Sequence, residues 1–330
     1  MPDEIEASRM TEVKSSRAVD SLFGATVPVL QAGMGGVAQH ELAAAVCEAG
    51  AFGMVGLYRH QPNEILELIA ATARLTDRRF GVNFVPFVLS DDELIERIGV
   101  VLQSNPSRPP IVTFFGLPSP QVLGAVAGRA DFGVQAGTFA DIEQAFDAGA
   151  SFTVLQTTDA GGHHLGGIDR AQAIRSAKLL KLSARMVFLS GGISTSGEVK
   201  SVLDAGFSGV LCGTIFAAAL ESAAHAEYKQ IIVDARAEDT VITDRFSIGW
   251  HTHTHRVVRN KTCTDDLMPA HIIGKVHYFG KNHPIPRYSV AVPTRSTEGE
   301  IAAMALYCGT SCKSVDRIAT AREIVNQLIL

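Results

Sequence analysis

The stretch MVFLSGGISTSGEVKSVLDAGFSGVLCGT, residues 186–214, decides the fold. Two short apolar runs, Met186–Leu189 and Gly209–Cys212, are each followed closely by glycine. Between them, Gly197–Ala205 carries apolar residues at helical spacing, and Thr195 stands where a helix cap is expected. The stretch therefore predicts a strand, a glycine turn, a helix and a second strand, which is the repeating unit of a parallel α/β fold.

The same unit recurs along the chain. Strands buried on both faces are near-continuous apolar runs, and such runs alternate here with amphipathic helical patterns. The predicted strands are Val27–Gln31, Phe52–Gly56, Phe80–Val85, Ile111–Phe115, Asp131–Gln135, Phe152–Thr157, Met186–Leu189 and Gly209–Cys212. The clearest predicted helices are His40–Ala49, Asn63–Leu75, Asp91–Gln103 (capped by Asp91), Asp141–Ala148, Arg170–Leu182 and Gly197–Ala205.

Eight strands, each followed by a helix, are the number that closes a parallel barrel. We therefore predict an α/β fold of the TIM (β/α)8 type. An open doubly wound sheet is the alternative, because the number of strands does not fix their order.

The pattern of apolar and polar residues changes after about Ala235. Residues 239–300 have short alternating runs, scattered His and Pro, and little helical periodicity. This predicts a small cap inserted after the eighth unit and a final helix, roughly Ser314–Leu328, that returns to the barrel. The predicted organisation is a barrel over 20–235, a cap or substrate subdomain over 236–305, and a C-terminal helix over 306–330 that returns to the barrel.

Composition and charge limit the classes of function. The net charge is −5 and the pI about 6.1, which argues against a nucleic-acid or anionic-membrane surface. The amino terminus is not a secretory signal, and no apolar stretch is long enough to span a bilayer. Five cysteines without a CxxC pair indicate reduced thiols. We expect a cytoplasmic protein that acts on a small molecule, with a homo-oligomer left open.

Glycines mark the carboxyl ends of several predicted strands, the face that carries the active site in TIM barrels. The loops after strands seven and eight commonly bind phosphate there, and Ser190-Gly191-Gly192 and Gly213-Thr214 fit that use. Glycine lets backbone N–H groups approach a phosphate, and a helix starting near Thr214 would add a favourable dipole. Together the two loops predict a phosphate site; glycines that only make tight turns are the alternative.

The loop QTTDAGGHHLGG, residues 156–167, places two histidines after the sixth strand. Histidine can act as a general base near neutral pH. Because His163 directly follows the pair Gly161-Gly162, we predict that it is the base. His164 is expected to be structural, which is the commoner role of a histidine.

A second histidine-rich run, WHTHTH at 250–255, puts three histidines on one side if it forms a strand. A transition-metal site is conceivable for such a set. Since no acidic or cysteine partner lies at close spacing, we predict a polar surface of the cap and no metal.

At these residues the sequence resembles the nitronate monooxygenase family, formerly called 2-nitropropane dioxygenases. The wider superfamily also contains FMN-dependent enoyl-acyl-carrier-protein reductases and NAD(P)H:quinone reductases. The resemblance runs from about Val27 to Leu328. It is carried by Gln31-Ala32-Gly33-Met34-Gly35-Gly36, Gly81-Val82-Asn83, Ala160-Gly161-Gly162-His163, Ser190-Gly191-Gly192-Ile193, Gly213-Thr214, Glu221-Ser222-Ala223-Ala224-His225, Tyr228-Lys229 and His255-Arg256-Val257-Val258-Arg259-Asn260.

The resemblance implies a barrel that binds FMN. Carried over by position, Met34 and Asn83 lie beside the flavin ring, and Gln156 contacts the cofactor. The implied phosphate-binding residues are Ser190, Gly191, Gly192, Gly213 and Thr214, and the loop glycines Gly33, Gly161 and Gly162 join them as cofactor-binding positions. His163 is the base in this assignment as well.

Three positions depart from the family pattern. Gly33 stands where many nitronate monooxygenases have proline, and Asp159 replaces the common glutamate before the Ala-Gly-Gly-His motif. Cys308-Gly309-Thr310-Ser311 replaces a usual Ala-Gly-Gln pattern. These changes leave FMN binding in place and put the substrate in question.

The resemblance therefore implies FMN-dependent oxidation of alkyl nitronates or nitroalkanes by O2 to a carbonyl compound and nitrite. The alternative is an NAD(P)H-dependent flavin reductase acting on a quinone or an enoyl thioester. A flavin- or phosphate-binding protein without turnover is the non-enzymatic alternative. The redox chemistry would belong to FMN, and the protein would supply positioning and electrostatics.

Overall fold

The computed structural model describes residues 19–329 except 106, 181, 183–184, 251–252, 266–268, 270 and 279. Eight parallel strands make one sheet: β1 (Val29–Gln31), β2 (Met54–Gly56), β3 (Gly81–Phe84), β4 (Ile111–Phe115), β5 (Phe132–Ala136), β6 (Phe152–Gln156), β7 (Val187–Ser190) and β8 (Gly209–Cys212). Their spatial order is β1-β8-β7-β6-β5-β4-β3-β2. Leu30 bridges Phe52, and the Gln31 N–H donates to the Phe52 carbonyl at 2.9 Å, which brings β1 and β2 together. The sheet thus forms the predicted TIM barrel, and the open-sheet alternative is wrong.

Helices surround this sheet. They are α1 (His40–Glu48), α2 (Pro62–Leu75), α3 (Asp91–Ser104), α4 (Pro120–Val126), α5 (Phe139–Asp147), α6 (Arg170–Leu180), α7 (Ser196–Asp204) and the single turn α8 (Thr214–Ala217). Our list of clear helical patterns omitted α4, whose seven residues are too few to show a strong 3.6-residue period.

Capping residues fix where these helices begin. The Thr195 hydroxyl accepts a hydrogen bond from the Glu198 N–H, which confirms the predicted cap of α7. The predicted cap of α3 was one residue off. Ser90 is the N-cap, with its hydroxyl accepting from the Glu93 N–H, and Asp91 is the first helical residue.

Aromatic side chains fill the amino-terminal end of the barrel. A short helix at residues 19–23 places the Phe23 ring 4.7 Å from that of Phe52 and 4.9 Å from that of Phe152. All three rings are buried, as expected for a packed end of a TIM barrel. The carboxyl ends of the strands are left to carry a site.

The segment after the barrel forms two small sheets. In the first, β9 (Thr240–Thr243) pairs antiparallel with β10 (His255–Val258), and β10 pairs with the two-residue strand Gly162–His163. The loop after β6 is therefore a strand of the cap sheet. The second sheet contains β11 (Ile272–Tyr278), β12 (Lys281–Pro286) and β13 (Thr297–Gly299), and the helices of this region are α9 (Ala226–Asp234) and α10 (Lys261–Thr264). The predicted domain boundaries stay a prediction.

The last helix is shorter than predicted. It is α11 (Ala321–Ile329), and the residues before it include a 3-10 turn at Thr310–Ser314. The Thr320 hydroxyl accepts from the Glu323 N–H at 3.2 Å, while the Glu323 carboxylate accepts from the Thr320 N–H at 2.8 Å. This reciprocal cap fixes the start of the helix. Within the described ranges, the helices include none that is both long and apolar enough to cross a membrane.

Candidate active site

A cavity of about 620 Å³ lies between the carboxyl ends of the barrel strands and the cap. A volume of this size is typical of small-molecule and cofactor sites. All the residues that the sequence assigned to the site lie in its wall, namely Gly33, Met34, Asn83, Gln156, Gly161, Gly162, His163, Ser190, Gly191, Gly192, Gly213 and Thr214. The structure thus brings the set together at one place; what these residues bind stays a prediction.

The loops after β7 and β8 offer backbone donors to the cavity. Among the described residues, the N–H groups of Gly191, Gly192, Gly213 and Thr214 have no hydrogen-bond acceptor. Backbone donors left unsatisfied at one site suit an anion such as phosphate. The helix α8 that follows is only four residues long, so its dipole would contribute little to holding an anion, and the four N–H groups would contribute most.

The glycines of these two loops are needed for different reasons. Gly191 and Gly192 have φ values of +121° and +69°. A Cβ atom on Gly191 would lie 2.1 Å from the Thr157 hydroxyl oxygen, so the backbone itself requires glycine there. Gly213 has φ −111°, and a Cβ would meet only ordinary contacts at 3.7 Å, from Ala32 and Met34. The backbone conformation of the turn therefore explains Gly191 and Gly192. At Gly213 neither the backbone nor the local packing requires glycine, and its small size leaves a space beside Ala32 and Met34.

The carboxyl-terminal loop closes over this end of the cavity. The Thr214 hydroxyl accepts a hydrogen bond from the Gly309 N–H at 2.9 Å. Asp159 accepts from the Thr310 N–H through its carbonyl and from the Arg170 N–H through its carboxylate, at 3.0 and 2.9 Å. Asp159, which departs from the family pattern, therefore joins the loop after β6 to the carboxyl-terminal loop.

Asn83 fixes the loop after β1. Its amide donates to the Gly33 carbonyl at 3.3 Å and accepts from the Thr113 hydroxyl at 2.9 Å. A Cβ atom on Gly33 would lie 2.3 Å from the Asn83 Cβ atom. A side chain at position 33 would therefore collide with Asn83, which accounts for the glycine.

Gln156 fixes the loop that carries His163 and His164 by hydrogen bonds at both ends of its side-chain amide. Its Nε2 donates to the His163 carbonyl at 2.8 Å, and its Oε1 accepts from the Leu165 N–H at 2.9 Å. Both ends of the amide are thus engaged with the loop. The cofactor contact that the family resemblance implies would have to use the remaining hydrogen-bonding capacity of this side chain.

The two adjacent histidines have different surroundings. His163 lies in the cavity wall, and its buried Nε2 has no hydrogen-bond partner among the described residues. The ring of His164 turns away from the cavity and bonds the Ala160 carbonyl through Nε2 at 3.0 Å. His163 therefore has a ring nitrogen that bonds no other described residue, whereas His164 makes a structural contact.

Burial keeps His163 neutral. Desolvation lowers its pKa from 6.5 to about 2, and the neighbouring histidines His255, His253 and His164 act in the same direction. A neutral imidazole whose Nε2 has a free lone pair can accept a proton, and one that is protonated cannot. Burial therefore keeps the ring unprotonated, and the lowered pKa also makes it a weaker base, since a general base is most effective when its pKa lies near the working pH.

Three further cavity residues were not selected from the sequence. Trp250 stacks on His163 with ring centroids 3.9 Å apart, Tyr307 lies 5.5 Å from the same imidazole, and Ser311 lines the same cavity. Ser311 lay in the departing segment 308–311, which was a usable signal. Nothing in the sequence placed Trp250 or Tyr307 beside His163, because that neighbourhood depends on tertiary contacts.

Among the described residues of the histidine run at 250–255, only His255 belongs to a strand. His251 and Thr252 lie outside the described residues, and Trp250 and His253 join through a hydrogen bond from the indole N–H to Nδ1 at 3.0 Å. Within the described ranges, no three His, Cys, Asp or Glu side chains are grouped so as to hold a metal ion.

Buried neutral histidines should make the fold sensitive to acid. Burial lowers the pKa of both His60 and His255 to about 4, whereas the unfolded chain takes up these protons below about pH 6.5. The free energy of unfolding is therefore unaffected by these two histidines above pH 6.5. It decreases as the pH falls below that value, by about 3 kcal/mol for each histidine at pH 4. Urea unfolding at a series of pH values measures this; a free energy of unfolding that is flat between pH 7 and 5 would contradict it.

Comparison with known proteins identifies the family of the chain, and the match includes all the residues of the candidate site. A family model described as nitronate monooxygenase matches residues 16–330. The nitronate monooxygenase of Paraburkholderia phytofirmans is 26% identical over 280 residues, covering 72% of this chain and 76% of that protein. The nitronate monooxygenase of Pseudomonas aeruginosa is 29% identical over 264 residues, covering 67% of this chain and 75% of that protein.

Solved structures share the fold. FabK from Thermotoga maritima superposes with a TM-score of 0.73 at 23% identity, covering 94% of each chain. The nitroalkane oxidase of Streptomyces ansochromogenes superposes with a TM-score of 0.72 at 22% identity, covering 94% of this chain and 96% of that one. At these identities the likeness supports the barrel and its cap, and it leaves the reaction to be argued from the site.

Proposed function

Because the chain belongs to the nitronate monooxygenase family and is therefore an oxidoreductase, we propose that it binds FMN and oxidises alkyl nitronates or nitroalkanes with O2. The products would be a carbonyl compound and nitrite. The observation that carries this proposal is the position of His163 in the wall of the cofactor-sized cavity, with a buried Nε2 that has no hydrogen-bond partner among the described residues. An oxidation that begins at a C–H bond next to a nitro group needs a base at such a place.

The residues present fit a phosphorylated flavin. The backbone N–H groups of Gly191, Gly192, Gly213 and Thr214, all in the cavity lining, have no acceptor within the part of the chain that the structure describes. Gly213 leaves space there that a Cβ atom would occupy. These features support the phosphate of FMN beside these N–H groups, with Met34, Asn83 and Gln156 bordering other parts of the cavity.

When bound, FMN supplies the redox chemistry and the reaction with O2. The chain's own part is to position the substrate and to move a proton. His163 Nε2 accepts the proton from the carbon next to the nitro group of a neutral nitroalkane. A preformed nitronate has already lost that proton, so it needs only binding and orientation.

The purified protein is expected to be yellow and to release FMN on denaturation, as absorbance spectra and chromatography of the released flavin would show. In the absence of oxygen, a nitronate is then expected to bleach the flavin, and NADH to leave it oxidised. Addition of O2 should restore the yellow colour and release nitrite.

Other outcomes assign other functions. Rapid bleaching by NADH with no response to nitronate would replace the proposal with the reductase. A flavin that responds to neither reagent would favour a binding protein without turnover. A colourless protein that FMN cannot reconstitute would defeat the cofactor proposal itself.

A further inference from the structure

The single tryptophan of the chain lies face to face with the candidate base. The rings of Trp250 and His163 are almost parallel, with an interplanar angle of 6° and centroids 3.9 Å apart. The indole N–H donates to His253 Nδ1 at 3.0 Å. The indole is therefore held both by a hydrogen bond at its edge and by contact over its face.

Two further aromatic rings pack near the indole. The Phe115 ring meets it edge-on at 5.4 Å, and the Phe87 ring lies 6.3 Å away. Phe87 also packs against His253 at 5.0 Å and remains 47% exposed, so it forms the outer rim of this cluster. Aromatic packing of this kind restricts the orientations available to the indole.

The stack restricts how the imidazole can meet a substrate. The indole covers a face of the His163 ring, His163 lines the cavity, and its buried Nε2 has no hydrogen-bond partner among the described residues. We propose that Trp250 is a positioning residue for His163, which fixes the plane of the imidazole and keeps water from its face so that Nε2 is presented to the substrate carbon. This proposal rests on the proposed function, in which His163 accepts the proton.

The groups around His163 set the direction of the effect of removing the indole. His255 on β10 lies 4.9 Å from the imidazole, Tyr307 lies 5.5 Å away, and His253 and His164 are its other titratable neighbours. The largest cause that lowers the pKa of His163 is burial. Because the indole supplies part of that burial, its loss should let water reach the ring and raise the pKa toward the ordinary value.

Histidine NMR of the flavin-loaded protein tests this directly. We expect His163, assigned by the loss of its signal in His163→Asn, to stay neutral from about pH 8 to pH 5 in the wild type. In Trp250→Leu, which keeps an apolar side chain without the stack, it should titrate within that range. Trp250→Phe, which restores an aromatic face, should behave more like the wild type.

Phe87→Leu is the matched control. It removes an aromatic ring from the same cluster but leaves the stack on His163, so the titration of His163 should not change. If Trp250→Leu does not fold, Trp250→Met takes its place. A His163 that stays neutral over the whole range in the leucine or methionine variant, or that titrates equally in Phe87→Leu, would overturn the proposal.

Kinetics supply the second readout. Misplacement of a reacting group by about 1 Å can cost on the order of a hundredfold in rate. In Trp250→Leu we expect kcat/KM for a neutral nitroalkane to fall by about tenfold to a hundredfold and that for the preformed nitronate to fall much less. An equal loss for both substrates would mean that Trp250 serves binding alone. If the wild type turns over neither substrate, the proposed function fails, while the NMR titration still decides the role of Trp250.

Discussion

His163→Asn is expected to slow the oxidation of a neutral nitroalkane by on the order of a hundredfold to ten-thousandfold, the usual cost of losing a general base. His163 lines the cavity, its Nε2 has no hydrogen-bond partner among the described residues, and burial keeps the ring unprotonated. Asparagine fills part of the volume of the imidazole but cannot accept the proton. Oxidation of the preformed nitronate should suffer much less, because its proton has already left.

His164→Asn is the matched control for this prediction. It makes the same substitution one residue along, in a ring that contacts the Ala160 carbonyl and lies outside the cavity wall. Both variants should be assayed with both substrates at equal oxygen and equal flavin content. A larger loss of neutral nitroalkane turnover in His164→Asn, or an unchanged rate in His163→Asn, would mean that the base is assigned to the wrong residue.

The fold was predictable because its signals are local. Strands buried on both faces are unmistakable as apolar runs, and β4 and β8 have the predicted bounds. Capping boxes such as Thr195 with Glu198 mark helix starts within a few residues. The last helix was predicted to begin too early, at about Ser314. Its true start is marked by the reciprocal cap of Thr320 and Glu323, which the prediction did not use.

The site was predictable only in part, because part of it is built by tertiary contacts. The glycine loops and His163 stand next to strand ends, so the sequence could place them at one face of the barrel. The stacking of Trp250 on His163 depends on how the cap crosses that face, and no spacing in the sequence encodes it. The distinction between Gly191 and Gly213 likewise required backbone angles and neighbouring atoms.

The difference between Gly191 and Gly213 leads to the second prediction with a large expected effect. Gly213→Val is expected to weaken FMN binding while the flavin-free protein keeps its fold. Its Cβ would meet the neighbouring atoms at 3.7 Å, but its methyl groups would enter the space beside the four unpartnered N–H groups. Each hydrogen bond lost from a charged phosphate costs about 1.5–3 kcal/mol, which corresponds to roughly a tenfold to a hundredfold weaker Kd.

Gly191→Val, in the neighbouring loop, is expected to destabilise the fold itself. Here φ is +121°, and a Cβ would lie 2.1 Å from the Thr157 hydroxyl oxygen and 2.9 Å from the Ala160 nitrogen. Backbone strain and overpacking should together lower the free energy of unfolding by about 2–6 kcal/mol. Thermal unfolding of both flavin-free variants, together with FMN titration followed by fluorescence, separates the two effects. Equal loss of stability in Gly213→Val and Gly191→Val, with FMN affinity following stability, would show that Gly213 is also a turn glycine and that the phosphate lies elsewhere.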